Sequence, residues 1–345
     1  MSLSNRIGLG SGLAVLTGAL AIASSVSGFA NAADVTLRFA TIQSPRHELS
    51  LRLQDAFERI EKETDGRVEF EVHYGSESGF QAKQYVSALE YGMLDSALIP
   101  TSASALEYPW LGVYGLPFLS PDADAREPML AATKPMLEEF SGKHQIVPLA
   151  YPLHPDKWLV IYLKNGVKSV DDFSGKLVRT YDPNTNAIVT ALGAVPTSLQ
   201  KSEIYMGLQR GTIDGAITGI TALKEMKFDE VVDNVYQLDL MFLPHILGVS
   251  EQAWQRLDAK DQETVRAVFA EWDKAYMADL SNPDTSNDPY AYAKEHEVKI
   301  IVPDEAAKQV FSKIHEDAVA KFVAQDDMSK KAYEAIDAVR ASASN

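Results

Sequence analysis

The chain has 345 residues, with 48 Asp plus Glu against 32 Lys plus Arg and no cysteine. A formal charge of -16 excludes a nucleic-acid binder that works through a basic surface. Zero cysteine excludes disulfides, thiolate metal sites, iron–sulfur clusters and thiol nucleophiles, while 46% hydrophobic residues suffice for cores in two ordinary domains.

Arg6 is the one charged side chain before Asp34; an apolar run from Leu13 to Ala23 follows it, and then Ala30-Asn31-Ala32. This is the pattern of an export signal, with cleavage expected after Ala32. The apolar run is too short to span a bilayer, which needs about 20 residues. Losing residues 1–32 removes Arg6 alone among charged residues and takes the charge from -16 to -17. The mature chain is expected to be exported and soluble.

Strand and helix patterns then alternate. Thr36–Ala40 reads as a strand; Leu49, Leu53, Ala56, Phe57 and Ile60 mark one helical face, and Gly66 supplies a left-handed stop. Val68, Phe70 and Val72 alternate with Glu69 and Glu71 as a half-buried strand. A helix over about Phe80–Tyr91 ends at Gly92, and a strand spans Leu94–Ile99. After the proline-punctuated Tyr151-Pro152-Leu153-His154-Pro155 the pattern restarts. Strands are predicted at Lys157–Leu163, Lys176–Thr180 and Ile213–Ile217, with helices at Thr185–Leu192 and Ser202–Arg210 stopped by Gly193 and Gly211. Helices at Asp261–Leu280, Asp304–Val323 and Ser329–Ala341 dominate the remainder. The fold class is α/β: two lobes, each a mostly parallel sheet flanked by helices, and a helical C-terminal part, with a ligand expected in the cleft between lobes.

Catalytic signatures are absent: no GxSxG elbow, HExxH helix, Walker A loop or GxGxxG turn occurs in the mature chain. The seven histidines are scattered in sequence, with no close pair suited to a metal. Asp171-Asp172 and Asp326-Asp327 read as helix-start or loop acids. Neither a catalytic residue nor a cofactor is expected, which favours binding over catalysis.

Residues 175–218 carry the most information. They contain Gly175-Lys176-Leu177-Val178-Arg179, then Leu192-Gly193-Ala194-Val195-Pro196, then Ser202-Glu203-Ile204-Tyr205-Met206-Gly207-Leu208-Gln209-Arg210-Gly211-Thr212-Ile213-Asp214-Gly215. Gly92-Met93-Leu94-Asp95, Leu116-Pro117-Phe118 and Pro244-His245-Ile246-Leu247 add to them. Together, in order and spacing, they resemble the solute-binding proteins of TRAP (tripartite ATP-independent periplasmic) transporters, the DctP-type family. The resemblance implies a periplasmic, two-lobed protein whose hinge is crossed several times and which closes on a small organic anion, most often a carboxylate. It further implies delivery to small and large inner-membrane subunits driven by an ion gradient. A monomer is the expected state.

The resemblance puts Arg179 on the arginine that pairs with the ligand carboxylate, and a guanidinium suits that task because its two parallel N–H donors match the two carboxylate oxygens. Where the family often has a second arginine, Trp158 stands, either to stack on a flat ligand or to pack in the core. Lys201 either adds a second positive charge or points to water. Thr218 replaces an asparagine that usually follows the DG pair, and Tyr181 is a candidate pocket wall. From the first lobe, the loop Thr41–His47, with Gln43, and the strand end at Ser102 are expected to reach the ligand, since open α/β sheets bind at the carboxyl ends of their strands. Residues 33–155 and 245–283 are assigned to the first lobe, 156–244 and 284–345 to the second. The family's long lobe-crossing helix is expected to break at residues 281–289, which include Pro283 and Pro289. The rivals are an exported enzyme acting on a small acid, a sensor module for a membrane receptor, and the binding protein of an ATP-driven importer, against which the 175–215 signature speaks.

Overall fold

Hydrophobic alternation builds two separate sheets. The computed structural model describes residues 34–120, 125–154, 158–240, 242–281 and 290–343. The expected leader with its cleavage point, and the helix break after Ser281, lie outside the described residues. In chain order the strands are β1 (Val35–Thr41), β2 (Val68–Tyr74), β3 (Ser96–Pro100), β4 (Ile146–Ala150), β5 (Trp158–Leu163), β6 (Leu177–Thr180), β7 (Val195–Ser198), β8 (Gly215–Gly219), β9 (Asn234–Leu240), β10 (His245–Ser250) and β11 (Lys299–Ile301). The helices are α1 (Glu48–Glu63), α2 (Tyr85–Glu90), α3 (Thr101–Ser104), α4 (Arg126–Lys143), α5 (Pro183–Ala191), α6 (Ile204–Arg210), α7 (Ala222–Glu225), α8 (Glu251–Trp254), α9 (Ala259–Ser281), α10 (Ala291–Glu295), α11 (Glu305–Val323) and α12 (Asp327–Ala343).

The first sheet has the order β2-β1-β3-β10-β4 and the second β11-β9-β5-β8-β6-β7. In each, one strand runs against all the others: β10 is antiparallel to β3 and β4, and β5 to β8 and β9. These reversed strands follow the first two of the three points where the chain changes sheet, β4 to β5 and β9 to β10. Those two segments pair with each other: His245 N–H donates to Pro152 O and His154 N–H to Leu243 O, both at 2.9 Å, and Leu153 bridges Pro244. Pro148 sits on β4, an edge strand, where a missing N–H costs the sheet least.

The periodicities have direct packing consequences. On α1 the buried residues include all five of the apolar stripe, and the helix stops where Gly66 takes φ +79°. In β5, Leu159, Ile161 and Leu163 enter one core with β9, α5 and α11, while Val160 and Tyr162 enter another with α6, α7 and α10. A sheet covered on both faces explains why this strand is apolar throughout instead of alternating.

One domain assignment is corrected. Residues 284–345 were expected in the second lobe. Instead, Ala332 and Ile336 of α12, with Phe322 at the end of α11, lie in the first lobe's core beside Met129, Leu137 and Phe140 of α4. The C-terminal segment therefore packs on both lobes, because α11 buries Ala307, Phe311 and Ile314 in the second.

Candidate ligand-binding site

Arg179 is the third residue of β6, and the register decides which side chains share its face. Arg179 pairs with Ala216 on β8, so Thr218, two residues on, faces the same way; Thr218 pairs with Val160 on β5, which puts Trp158 there too. Thus three residues from three segments lie on one sheet face. Trp158 also packs against the core on that face and its ring lies 6.3 Å from that of Tyr290, so its packing role is in place.

Arg179 is only 6% exposed. Its Nε donates to Leu199 O at 2.9 Å and one terminal nitrogen to Ile217 O at 3.5 Å, both uncharged acceptors. Its guanidinium stands over the Tyr181 ring at 5.6 Å. Burial holds the guanidinium down to about 10, against the opposing influence of Tyr181 and Asp182. Asp182 is not its ion-pair partner: its carboxylate caps α5, accepting the Thr185 N–H at 2.6 Å, and burial pushes it up to about 6.

Lys201 points neither simply to water nor only toward a ligand. Its Nζ donates to Oε1 of Gln43 at 3.1 Å, which ties the second lobe to the loop after β1. Gln43 is buried there. A second tie runs from Asn184 Nδ2, at the start of α5, to Gly112 O at 3.0 Å. The Leu116-Pro117-Phe118 motif makes a third: Leu116 is in the first core, Phe118 stacks on Phe311 of α11 at 4.6 Å, and Pro117 O bonds His315 Nδ1 at 2.7 Å. Ser102, partly buried in α3, neighbours Thr101, whose hydroxyl donates to Pro244 O. Among the described residues no hydrogen bond joins Ser102 to the other candidates.

The sequence reading treated the histidines as scattered; the fold gathers three of them. His47 follows β1, His154 lies in the first crossing, and His245 opens β10. Ring centroids are 5.1 Å apart for His47–His154 and 5.7 Å for His154–His245. Desolvation, helped by the positive charge of Lys201, pushes His47 down to about 2 and His245 to about 4, and depresses His154 as well. The three are neutral imidazoles at ordinary pH. Among the described residues no group of His, Asp or Glu is placed to hold a metal ion. The signal available in sequence was position: each lies at a strand end or a sheet change.

Comparison with known proteins agrees with this fold. Residues 39–326 match the family described as bacterial extracellular solute-binding protein, family 7, of DctP type. The chain belongs to that family. An uncharacterized protein of Haemophilus influenzae is 26% identical over 84% of this chain and 88% of its own length. The C4-dicarboxylate-binding periplasmic protein DctP of Rhodobacter capsulatus is 26% identical over 75% of this chain and 78% of its own. The solved structure of DctP7, a Bordetella pertussis extracytoplasmic solute receptor binding pyroglutamic acid, superposes with a TM-score of 0.78 over 88% of this chain and 99% of that one, at 19% identity. That likeness is one of fold. Two sheets flanked by helices and a helical C-terminal part are the family's architecture. No described helix is long and apolar enough to cross a membrane.

Proposed function

We propose that this family member is a periplasmic solute receptor of a TRAP transporter, holding a small organic acid between its lobes and handing it, as a monomer, to small and large inner-membrane subunits for ion-gradient-driven uptake. The observation that carries this reading is Arg179: a buried cation bonded only to backbone carbonyls, on a face shared with Thr218 and Trp158, close to where Lys201 meets Gln43. A buried charge is stable when paired, and a ligand carboxylate supplies the partner in the matching bidentate geometry. The anion would reach donors from both lobes, so its affinity for the shut form exceeds that for the open one, and that difference drives closure. The acids bound by relatives, pyroglutamic acid and C4-dicarboxylates, are of this kind.

A thermal-shift screen against mono- and dicarboxylates, hydroxy and oxo acids, aromatic acids and sulfonates tests the reading. A ligand bound by the folded state alone adds about 2.7 kcal/mol at a hundredfold excess over its Kd, enough to raise Tm by several degrees. A shift confined to one class of acid is expected. A protein that ignores every acid, and releases none on denaturation, would overturn the proposal.

A further inference from the structure

His47 is the N-cap of α1, and it caps through its ring: Nδ1 accepts the Leu49 N–H at 3.2 Å. A neutral imidazole carries one proton, so an accepting Nδ1 places that proton on Nε2. This Nε2–H is fully buried and, among the described residues, has no hydrogen-bond partner. A buried donor left without an acceptor is costly, and native proteins rarely keep one. The surroundings point to the site already described. Lys201 acts electrostatically on His47 and bonds Gln43, four residues before it, while Leu199, two residues before Lys201, accepts from Arg179. His245, across His154, likewise has a buried Nδ1 without a partner.

We propose that the Nε2–H of His47 is the first-lobe donor for the anion held by Arg179, and that it receives an oxygen other than those on the guanidinium. This rests on the anion-receptor reading and narrows its substrate class. The acid carries a second acceptor, an oxo, hydroxyl, amide carbonyl or second carboxylate group, at the end opposite the carboxylate clamped by Arg179. His47 stays neutral because burial and Lys201 disfavour its cationic form, so it serves as a fixed donor and does not switch with pH. A simple monocarboxylate leaves it unpaired.

Two substitutions separate donation from capping. His47→Asn keeps a good N-cap, since the Asn oxygen accepts the same backbone N–H, but removes the donor at Nε2. His47→Gln restores an N–H near the Nε2 position and gives up the cap. Purified wild type, both variants and Arg179→Met are titrated calorimetrically with L-pyroglutamate, succinate and butyrate. His47→Asn is expected to bind pyroglutamate or succinate at least tenfold more weakly, with butyrate affinity and ligand-free Tm unchanged. His47→Gln is expected to recover part of the affinity at a lowered Tm. Wild-type affinity of His47→Asn for an acid that Arg179→Met no longer binds overturns this inference and leaves the receptor reading standing. If wild type binds none of the three, the two-acceptor substrate class falls, and the broader acid screen decides the receptor reading separately.

Discussion

Replacing Arg179 by methionine keeps most of the side-chain stem and removes the charge and all five donors. In the ligand-free protein the guanidinium sits at about 10 instead of its usual 12.5, a displacement caused chiefly by burial. At about 1.4 kcal/mol per unit, holding the cation in place costs the folded state about 3 kcal/mol. The sign follows from the direction: a base whose folded value is depressed is disfavoured in the fold at every pH below that value, so the cost is in force at pH 7. Methionine removes it and leaves Leu199 O, now bonded at 2.9 Å, without its donor, a loss of about 1–3 kcal/mol. The two nearly cancel, and the ligand-free variant should unfold within about 2 kcal/mol of wild type in urea. Binding does not cancel. A carboxylate buried without its partner costs about 3–5 kcal/mol, equivalent to a weakening of roughly two hundred to several thousandfold. Isothermal titration with the best acid from the screen reads this directly. Unchanged affinity, or a variant that has lost most of its stability, would show that Arg179 serves the fold and not the ligand.

Lys201→Met removes the Nζ–Gln43 bond between lobes; small-angle scattering of the ligand-free protein should show a larger radius of gyration, and an identical curve would deny that bond a role in closure. The buried histidines make stability pH-dependent. His47, His154, His245 and His315 all titrate below their ordinary value, so their contribution is complete above about pH 6.5 and is lost on acidification. Asp182 and Asp273, both raised to about 6, work the other way and lose theirs as pH rises through 6. Four groups outweigh two, so the urea midpoint should fall from pH 6.5 toward pH 4; a rise would contradict the burial of the imidazoles. Gly215→Ala is expected to destabilise by about 1–3 kcal/mol or more, because a Cβ there would lie 2.5 Å from the backbone oxygen of Tyr162 on β5, which cannot move without breaking the pairing. Wild-type stability in guanidinium would refute that clash.

Local rules read much of this chain. The stripe of α1, the alternation of β2, the glycine stops at Gly66 and Gly211 and the cap acid Asp172 are set by periods of 3.6 and 2 and by backbone sterics. Those interactions span a few residues, so the sequence displays them. The 175–215 signature likewise singled out Arg179 as a candidate, because its strand, helix and close-packed glycine are contiguous. By contrast, α4 carries Pro135 in its interior and β4 carries Pro148, two residues that argue against the elements containing them; the packing of the buried face of α4 and the edge position of β4 override them.

What the sequence alone determined is the class: an acidic, cysteine-free chain alternating strand and helix, with one arginine placed by motif. Tertiary structure decided the rest. Only sheet order puts Trp158, Arg179 and Thr218 on one face, and only docking of the lobes joins Lys201 to Gln43, 158 positions away. The first sheet and the paired crossing segments gather His47, His154 and His245 from three separate stretches of chain and desolvate them together. Register and desolvation depend on which surfaces meet, and contacts between residues a hundred or more positions apart leave no period in the chain. Hence Arg179 was a candidate from sequence alone, whereas His47, ordinary in sequence, became a candidate donor only once its Nδ1 was seen to cap α1.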